Sequence, residues 1–282
     1  LDTSFKNFFQ KRASHPKFKS KHNNFKSYRT INQGDNISIV GKYIKLPKLG
    51  KVKCKYKMDL SNIKIVNVTV SKTPANEYYA SIIYEKEIMM FEKTNKSVGI
   101  DLGVRTLITT SDNEKYNNPI KLNKIEKKIK RYQRQVSRRM LDSNNRKKAR
   151  VKKAKLEKHK VNIINDAIHK ATTNIIRNYD FIYMENLNLN DLIDKQEKRY
   201  NKRKLIATSL GKVRIYLEYK SKMYEKQIHY IDRFYPSSKT CSKCYRNYEI
   251  QDRKVYECPY RGLKIDRDYN AAINILNYGL TH

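Results

Sequence analysis

SVGIDLGVRTLITT, residues 97–110, decides the fold: small and β-branched residues carry one carboxylate, Asp101, through an otherwise apolar run, and a second hydrophobic run follows at once. Such a pattern predicts two adjacent strands with a lone acid on the first. A carboxylate among apolar neighbours is costly unless positive charge meets it. Asp101 therefore either caps a turn with Gly103 or ligates a metal, and this segment alone leaves both open.

Working outward from that stretch, Asp112-Asn113 signals a turn into a third short strand, and then the period changes. Leu122, Ile125, Ile129, Tyr132, Val136 and Met140 mark one apolar face of a helix. Asp142 to Asn145 breaks it, and a second helix carries Val151, Ala154, Val161, Ile164, Ile168, Ala171 and Ile175. Residues 121–160 hold 18 Lys and Arg against three acids, a charge that would repel itself without a polyanion beside it. The candidate nucleic-acid contacts are Lys127, Lys128, Lys130, Arg131, Arg134, Arg138, Arg139, Arg146, Lys147, Lys148 and Arg150. A hydrophobic strand, Asp180 to Met184, then ends on Glu185, which alone reads equally as a helix cap or a surface acid. Residues 199–226 predict another basic helix, and Gln227 to Phe234 a further strand.

Near the C-terminus, Cys241 and Cys244 form a Cys-x-x-Cys turn, and Cys258 follows after 13 residues. Two such turns would make a tetrahedral zinc ribbon, but Arg261 stands where a fourth cysteine belongs. Three thiolates remain, with water, His229 or His282 as fillers of the vacant position, so Zn²⁺ binding is expected to be weaker than in a four-cysteine site. Ile265-Asp266-Arg267-Asp268 opens a last helix expected to stop near Gly279. Asp268 shares a face with Ala271 and Ala272 and points inward, whereas Asp266 reads as the cap.

The first 95 residues begin with Leu1, Phe5, Phe8 and Phe9 near one helical face, pass through a basic segment broken by Pro16, and continue as short strands with a hairpin turn at Pro74-Ala75-Asn76. That spacing predicts a small barrel or sandwich. The chain starts at Leu1 inside an amphipathic pattern, so an N-terminal part is expected to be missing. A net charge of +35, from 62 Lys and Arg against 27 Asp and Glu, implies nucleic acid, with an anionic membrane surface as the rival partner. No apolar run is long enough for a membrane span and no signal peptide is evident, which predicts a cytoplasmic protein. Four cysteines in 282 residues exclude a disulfide scaffold.

Asp101, Glu185 and Asp268 recur in one context, each at the mouth of a core element. Gathered carboxylates repel unless hard cations neutralise them, and Mg²⁺ accepts a few carboxylates while keeping waters. Two ions about 3.5–4 Å apart activate a water and stabilise the leaving oxygen of a phosphodiester. With basic helices to hold the substrate, the set predicts a nuclease.

GIDLGVRTLIT, SNNRKKARVKKAKL, FIYMENLNL, DRFYPSSKTCSKC and IDRDYNAAINIL, preceded by FKNFF, PKFKSK and IKLPKLG, together resemble the TnpB family of transposon-encoded RNA-guided DNA endonucleases, relatives of the type V CRISPR effectors. The resemblance spans nearly the whole chain. It implies an α/β protein: an RNase H-like (RuvC) nuclease domain with a zinc-ribbon insertion, preceded by a small β-barrel wedge domain with a remnant of a helical recognition region. On this chain the expected segments are 1–95 for the wedge, 96–235 for the nuclease domain with its basic hairpin, 236–265 for the ribbon and 266–282 for the last RuvC helix. The resemblance implies Asp101, Glu185 and Asp268 as the metal-binding catalytic triad, a guide RNA from the transposon end and a target DNA as partners, and DNA cleavage as the activity. Arg261 and Tyr245 depart from the family's usual cysteine and glycine. A cleavage-incompetent guide-binding protein and a strand-transferring transposase are the alternative readings.

Overall fold

A computed structural model describes residues 2–17, 26–57, 60, 63–103, 106–117, 122–186, 210–249 and 254–281. The chain falls into two compact units, Leu1–Glu87 with Ile129–Lys155, and Ile88–Lys128 with Leu156–His282. The helices of the basic hairpin contribute residues to both units.

The first unit opens with helix α1 (Asp2–Phe9), where Phe5 and Phe9 stack at 6.3 Å. Six strands follow, β1 (Lys26–Ile31), β2 (Ser38–Val40), β3 (Tyr43–Leu46), β4 (Gly50–Lys53), β5 (Lys64–Lys72) and β6 (Tyr78–Glu85). They form two antiparallel three-stranded sheets, β1-β5-β6 and β2-β3-β4. Both sheets contribute to one core of Ile37, Ile44, Leu46, Ile65 and Val68. The expected turn joins β5 to β6, with Asn76 in the left-handed region at φ 58° and its N–H on Thr73 O. Among the described strands no pairing links one sheet to the other.

The second unit is built on a five-stranded mixed sheet in the order β11-β10-β7-β8-β9. Its strands are β7 (Ser97–Asp101), β8 (Thr106–Thr110), β9 (Lys115–Asn117), β10 (Phe181–Glu185) and β11 (Gln227–Ile231). β7, β8 and β9 meander antiparallel, while β10 and β11 lie parallel to β7 and to each other. Parallel neighbours need long crossovers. Helix α3 (Asn144–Asn178), preceded by α2 (Leu122–Arg138), spans β9 to β10, and helix α4 (Leu210–Met223) spans β10 to β11. Residues 187–209, including the first part of the helix predicted for 199–226, lie outside the described residues.

Alternation along the strands sorts side chains to two faces. Val98, Ile100, Ile182 and Met184 pack with Ile164, Ile168, Ala171, Ile175 and Ile176 of α3 and with Val213 and Leu217 of α4. The residues between them, Gly99, Asp101, Tyr183 and Glu185, share the opposite face. There lies the last helix, α5 (Arg267–Thr281), with Ile275 against Tyr183 and Ile231. A Cβ on Gly99 would sit 2.2 Å from Ala272 O, so the missing side chain is what lets α5 lie on β7.

This helix ends at Thr281, near Gly279 as expected. A Cβ on Gly279 would lie 2.1 Å from Tyr183 Cδ1, so the glycine, in the last turn of the helix, clears a ring on β10.

A buried pair locks the base of the sheet. Asp180 accepts from Thr94 N at 2.7 Å, from Asn95 N at 2.6 Å and from the Lys226 ammonium. Burial alone would raise the Asp180 carboxyl, but Lys226 and the two N–H groups outweigh it and hold the group below its ordinary value. Among the described residues no helix is long and apolar enough to cross a membrane.

Candidate functional site

Asp101 ends β7 and Glu185 ends β10, and the parallel register, with Met184 opposite Ile100, sets the two acids one step further at the same level. Both therefore stand at the carboxyl ends of adjacent parallel strands, on the α5 face. Asp268 enters from the first turn of α5, which Asp266 caps: its Oδ1 accepts from Asp268 N and Tyr269 N, each at 3.1 Å, and its Oδ2 accepts from Lys115 Nζ at 2.7 Å. Asp266 is the cap and Asp268 the inward acid, as expected from the helical spacing. A Cβ on Gly103 would come 2.8 Å from Thr106 O, so the glycine lets the chain beyond Asp101 pass close to the start of β8.

The three acids line one cleft of about 230 Å³ together with Leu102, Gly103, Ser237, Ser238 and Arg267. Burial, then the charges of Glu185 and Asp268, push the Asp101 carboxyl up to about 8, against the opposing pull of Arg267 and the Leu102 N–H. Burial also raises Glu185, and the Ser237 hydroxyl, donating to its Oε1, lowers it in part. Carboxylates so crowded and dry are short of positive charge. Among the described residues Arg267 is the one cation lining this cleft, and its Nε is buried without a hydrogen-bond partner.

Ser237, which no motif singled out, is itself held by helix α5. Asn274 Nδ2 donates to Ser237 O at 2.8 Å and to Thr240 O at 2.7 Å, and Asn270 bonds Thr240 O and Ser242 N at 2.7 and 3.1 Å. Both asparagines are fully buried. Two polar residues at i and i+4 on the alanine face of NAAIN were the available signal, because a buried amide must find partners.

Beyond Thr240 the chain makes two turns of one design. Cys241 N donates to Arg246 O and Tyr245 N to Cys241 O, both at 2.9 Å; Cys258 N donates to Leu263 O and Gly262 N to Cys258 O, also at 2.9 Å. Tyr245 and Gly262 take the same left-handed conformation, at φ 58° and 59°. Strands β12 (Val255–Glu257) and β13 (Lys264–Asp266) pair antiparallel beside the second turn. The Sγ atoms of Cys241, Cys244 and Cys258 lie within 4.8 Å of one another, a set that could hold a metal ion. Arg261, at the position matching Cys244, is exposed. His229 does not fill the gap, because its ring stacks on Tyr183 of β10 at 5.1 Å; His282 lies outside the described residues. The Tyr248 hydroxyl, then the Arg246 N–H, hold the Cys244 thiol down to about 7, while burial pushes Cys241 up. Cys54 belongs to the core of the first unit.

Of the basic residues singled out on α2 and α3, Lys127, Lys128, Lys130, Arg131, Arg134, Arg138, Lys147, Lys148 and Arg150 are exposed. Arg139 and Arg146 are half-buried and close the turn between the helices, Arg139 Nη1 on Asn145 O at 2.6 Å and Arg146 Nη1 on Arg139 O at 3.0 Å. Arg146 thus satisfies a carbonyl just past the end of α2, and Arg139 ties that end to the first turn of α3.

A family model described as a probable transposase, OrfB of the IS605 type, matches residues 81–196, and one described as the TNB domain of Cas12f1-like proteins matches residues 211–275. A Streptomyces pristinaespiralis protein named "Putative RNA-guided DNA endonuclease" is 31% identical over 286 residues, covering 99% of this chain and 69% of its own. InsQ of Escherichia coli K12, which bears the same description, is 30% identical over 294 residues, covering 99% of this chain and 72% of its own. The chain belongs to the TnpB family. Within this TnpB-family chain the OrfB match takes in Asp101, Glu185 and the basic hairpin, and the TNB match takes in the three clustered cysteines and Asp268. The fold is also that of the protein in a Cas12f1–sgRNA–target DNA complex, with a TM-score of 0.60 at 14% identity over 98% of this chain and 69% of that one.

Proposed function

We propose that this TnpB-family chain is an RNA-guided DNA endonuclease that depends on Mg²⁺, and that its five-stranded unit is an RNase H-like (RuvC) nuclease domain. The observation that carries the reading is the convergence of Asp101, Glu185 and Asp268 on one cleft, where burial and then the charges of the other two acids push Asp101 up to about 8. Strand order supports the fold: an antiparallel meander extended by two parallel strands, with acids at the carboxyl ends. An all-oxygen donor set suits Mg²⁺. Two Mg²⁺ ions held by the three acids would supply an activated water and charge stabilisation at the leaving oxygen.

The chain's own residues do the rest. Asp101, held protonated by burial and its acidic neighbours, would release that proton to solvent where it ligates a cation. Ser237 fixes the orientation of Glu185 through its hydroxyl, and the capped first turn of α5 holds Asp268 at the cleft. The exposed cations of α2 and α3 hold the phosphate backbones of a guide RNA and its target DNA. Cys241, Cys244 and Cys258 hold a structural Zn²⁺, and the soft thiolate set fits that ion rather than Mg²⁺.

The test is Mg²⁺-dependent cleavage by the full chain loaded with RNA transcribed from its own transposon end. We expect guided DNA cutting that Asp101→Ala abolishes while RNA binding persists. Guide-dependent DNA binding without nicking, even of single strands, would replace this reading with that of a binding protein, and joined products would point to strand transfer.

A further inference from the structure

The second cysteine turn keeps the backbone of a metal-binding turn, yet Arg261 stands at the ligand position and faces solvent. Something else must complete the coordination if a zinc ion is to be closed off from water, as structural sites are. Among the described residues two phenols stand beside the thiols; the Tyr256 hydroxyl donates to Lys239 O at 3.2 Å, which leaves Tyr248 as the candidate. Its Oη lies 3.5 Å from Cys244 Sγ, and Cys244 Sγ lies 3.7 Å from Cys258 Sγ.

Those spacings are informative. With metal–sulfur and metal–oxygen lengths of about 2.3 and 2.0 Å, tetrahedral geometry separates two sulfurs by about 3.8 Å and a sulfur from an oxygen by about 3.5 Å. The two separations match these edges. The phenol is also held in place before any ion arrives. Tyr248 N donates to Lys239 O at 3.0 Å, and its ring packs on Tyr260 at 5.2 Å. Tyr260 in turn lies 4.9 Å from the Arg246 guanidinium.

We propose that Tyr248 takes the position Arg261 vacates, its phenolate oxygen serving as fourth ligand to a zinc ion held by Cys241, Cys244 and Cys258. This rests on the reading that the three cysteines hold zinc. On binding, the ion replaces the remaining thiol protons and the Tyr248 hydroxyl proton, all of which pass to solvent. The harder oxygen makes a weaker site than a fourth thiolate.

The experiment titrates Zn²⁺ into the metal-free, reduced full-length chain while recording the near-ultraviolet difference band of tyrosinate, alongside a chelator competition for affinity. Zinc itself is silent, so the band counts ionised phenols. We expect one tyrosinate per bound zinc. Tyr248→Phe should lose the band and weaken zinc binding by about tenfold or more. Arg261→Cys should bind zinc more tightly and also lose the band, because a thiolate displaces the phenol; this arm leaves Tyr248 intact and so does not depend on the tyrosine variant folding. Zinc binding with no tyrosinate, or with unchanged affinity in Tyr248→Phe, overturns the role of Tyr248 alone. Failure of the wild-type chain to bind zinc more tightly than Cys241→Ser overturns the zinc centre and this inference with it.

Discussion

Asp101 stands in the acid cleft with its carboxyl pushed up to about 8, chiefly by burial. Below its raised pKa the folded state holds a proton that the unfolded chain releases near the ordinary carboxylate value of about 3.9. Between that value and about 8 the unfolded state therefore binds fewer protons, and stability falls as pH rises through the window, then levels off above it. In chelator, thermal melts of the wild-type chain should show this decline. Asp101→Asn should remove it, melting at least ~2 °C above wild type at the high-pH end, given roughly 2–4 °C per kcal/mol at this chain size. Added Mg²⁺ should reverse the order, stabilising the wild type but not the variant, and most strongly above pH 8. Ser237 acts on the same balance from the other side. Its hydroxyl favours the ionised form of Glu185. Ser237→Ala should therefore move the Mg²⁺ binding curve, followed by calorimetry across pH, toward higher pH.

At the scale of elements, the cleft exists because α5 lies flat on β7 and β10. Gly99 and Gly279 are the contact points, one under the Ala272 carbonyl and one against the Tyr183 ring. Gly99→Ala sets a methyl against backbone, which cannot yield as the end of a flexible side chain can. Urea unfolding should show a loss of about 1–3 kcal/mol or more, the range for overpacked cores. Cleavage should drop further than stability alone explains, because Asp268 moves with the helix. The asparagines of α5 link this contact to the cysteine turns through Thr240, so one helix organises the acid cleft and steadies the chain leading to Cys241. Helical periodicity announced α5 and its inward acid. It could not announce Gly279, because a glycine near a helix end reads the same whether it caps a turn or clears a ring on another strand.

Across the whole molecule the dominant quantity is a net charge of +35. Binding to RNA should be strongly salt-dependent, since each neutralised phosphate releases counterions with a slope of about 0.7 per contact for single strands. Changing Lys127, Lys128, Arg131 and Arg134 to Gln together should lower the slope of log affinity against log salt by up to about 2.8 on that basis, four contacts at about 0.7 each. Anisotropy titrations at several salt concentrations would read it. The corresponding change at Arg139 and Arg146 should instead lower the melting temperature, because those guanidinium groups hold the carbonyls of the interhelical turn. Composition ranks all eleven cations alike; only their surroundings separate nine that face solvent from two that serve the fold.

The sequence by itself determined the elements around Asp101, the excess of positive charge, the family and the inward direction of Asp268, because period, charge and motif order are local properties that survive without coordinates. Tertiary structure alone decided that residues 101, 185 and 268 share a cleft, that Ser237 and Arg267 belong to it and that Tyr248 stands beside the three thiols. Contacts between residues far apart in the chain follow from parallel register and helix docking, and neither leaves a mark within a single window of sequence.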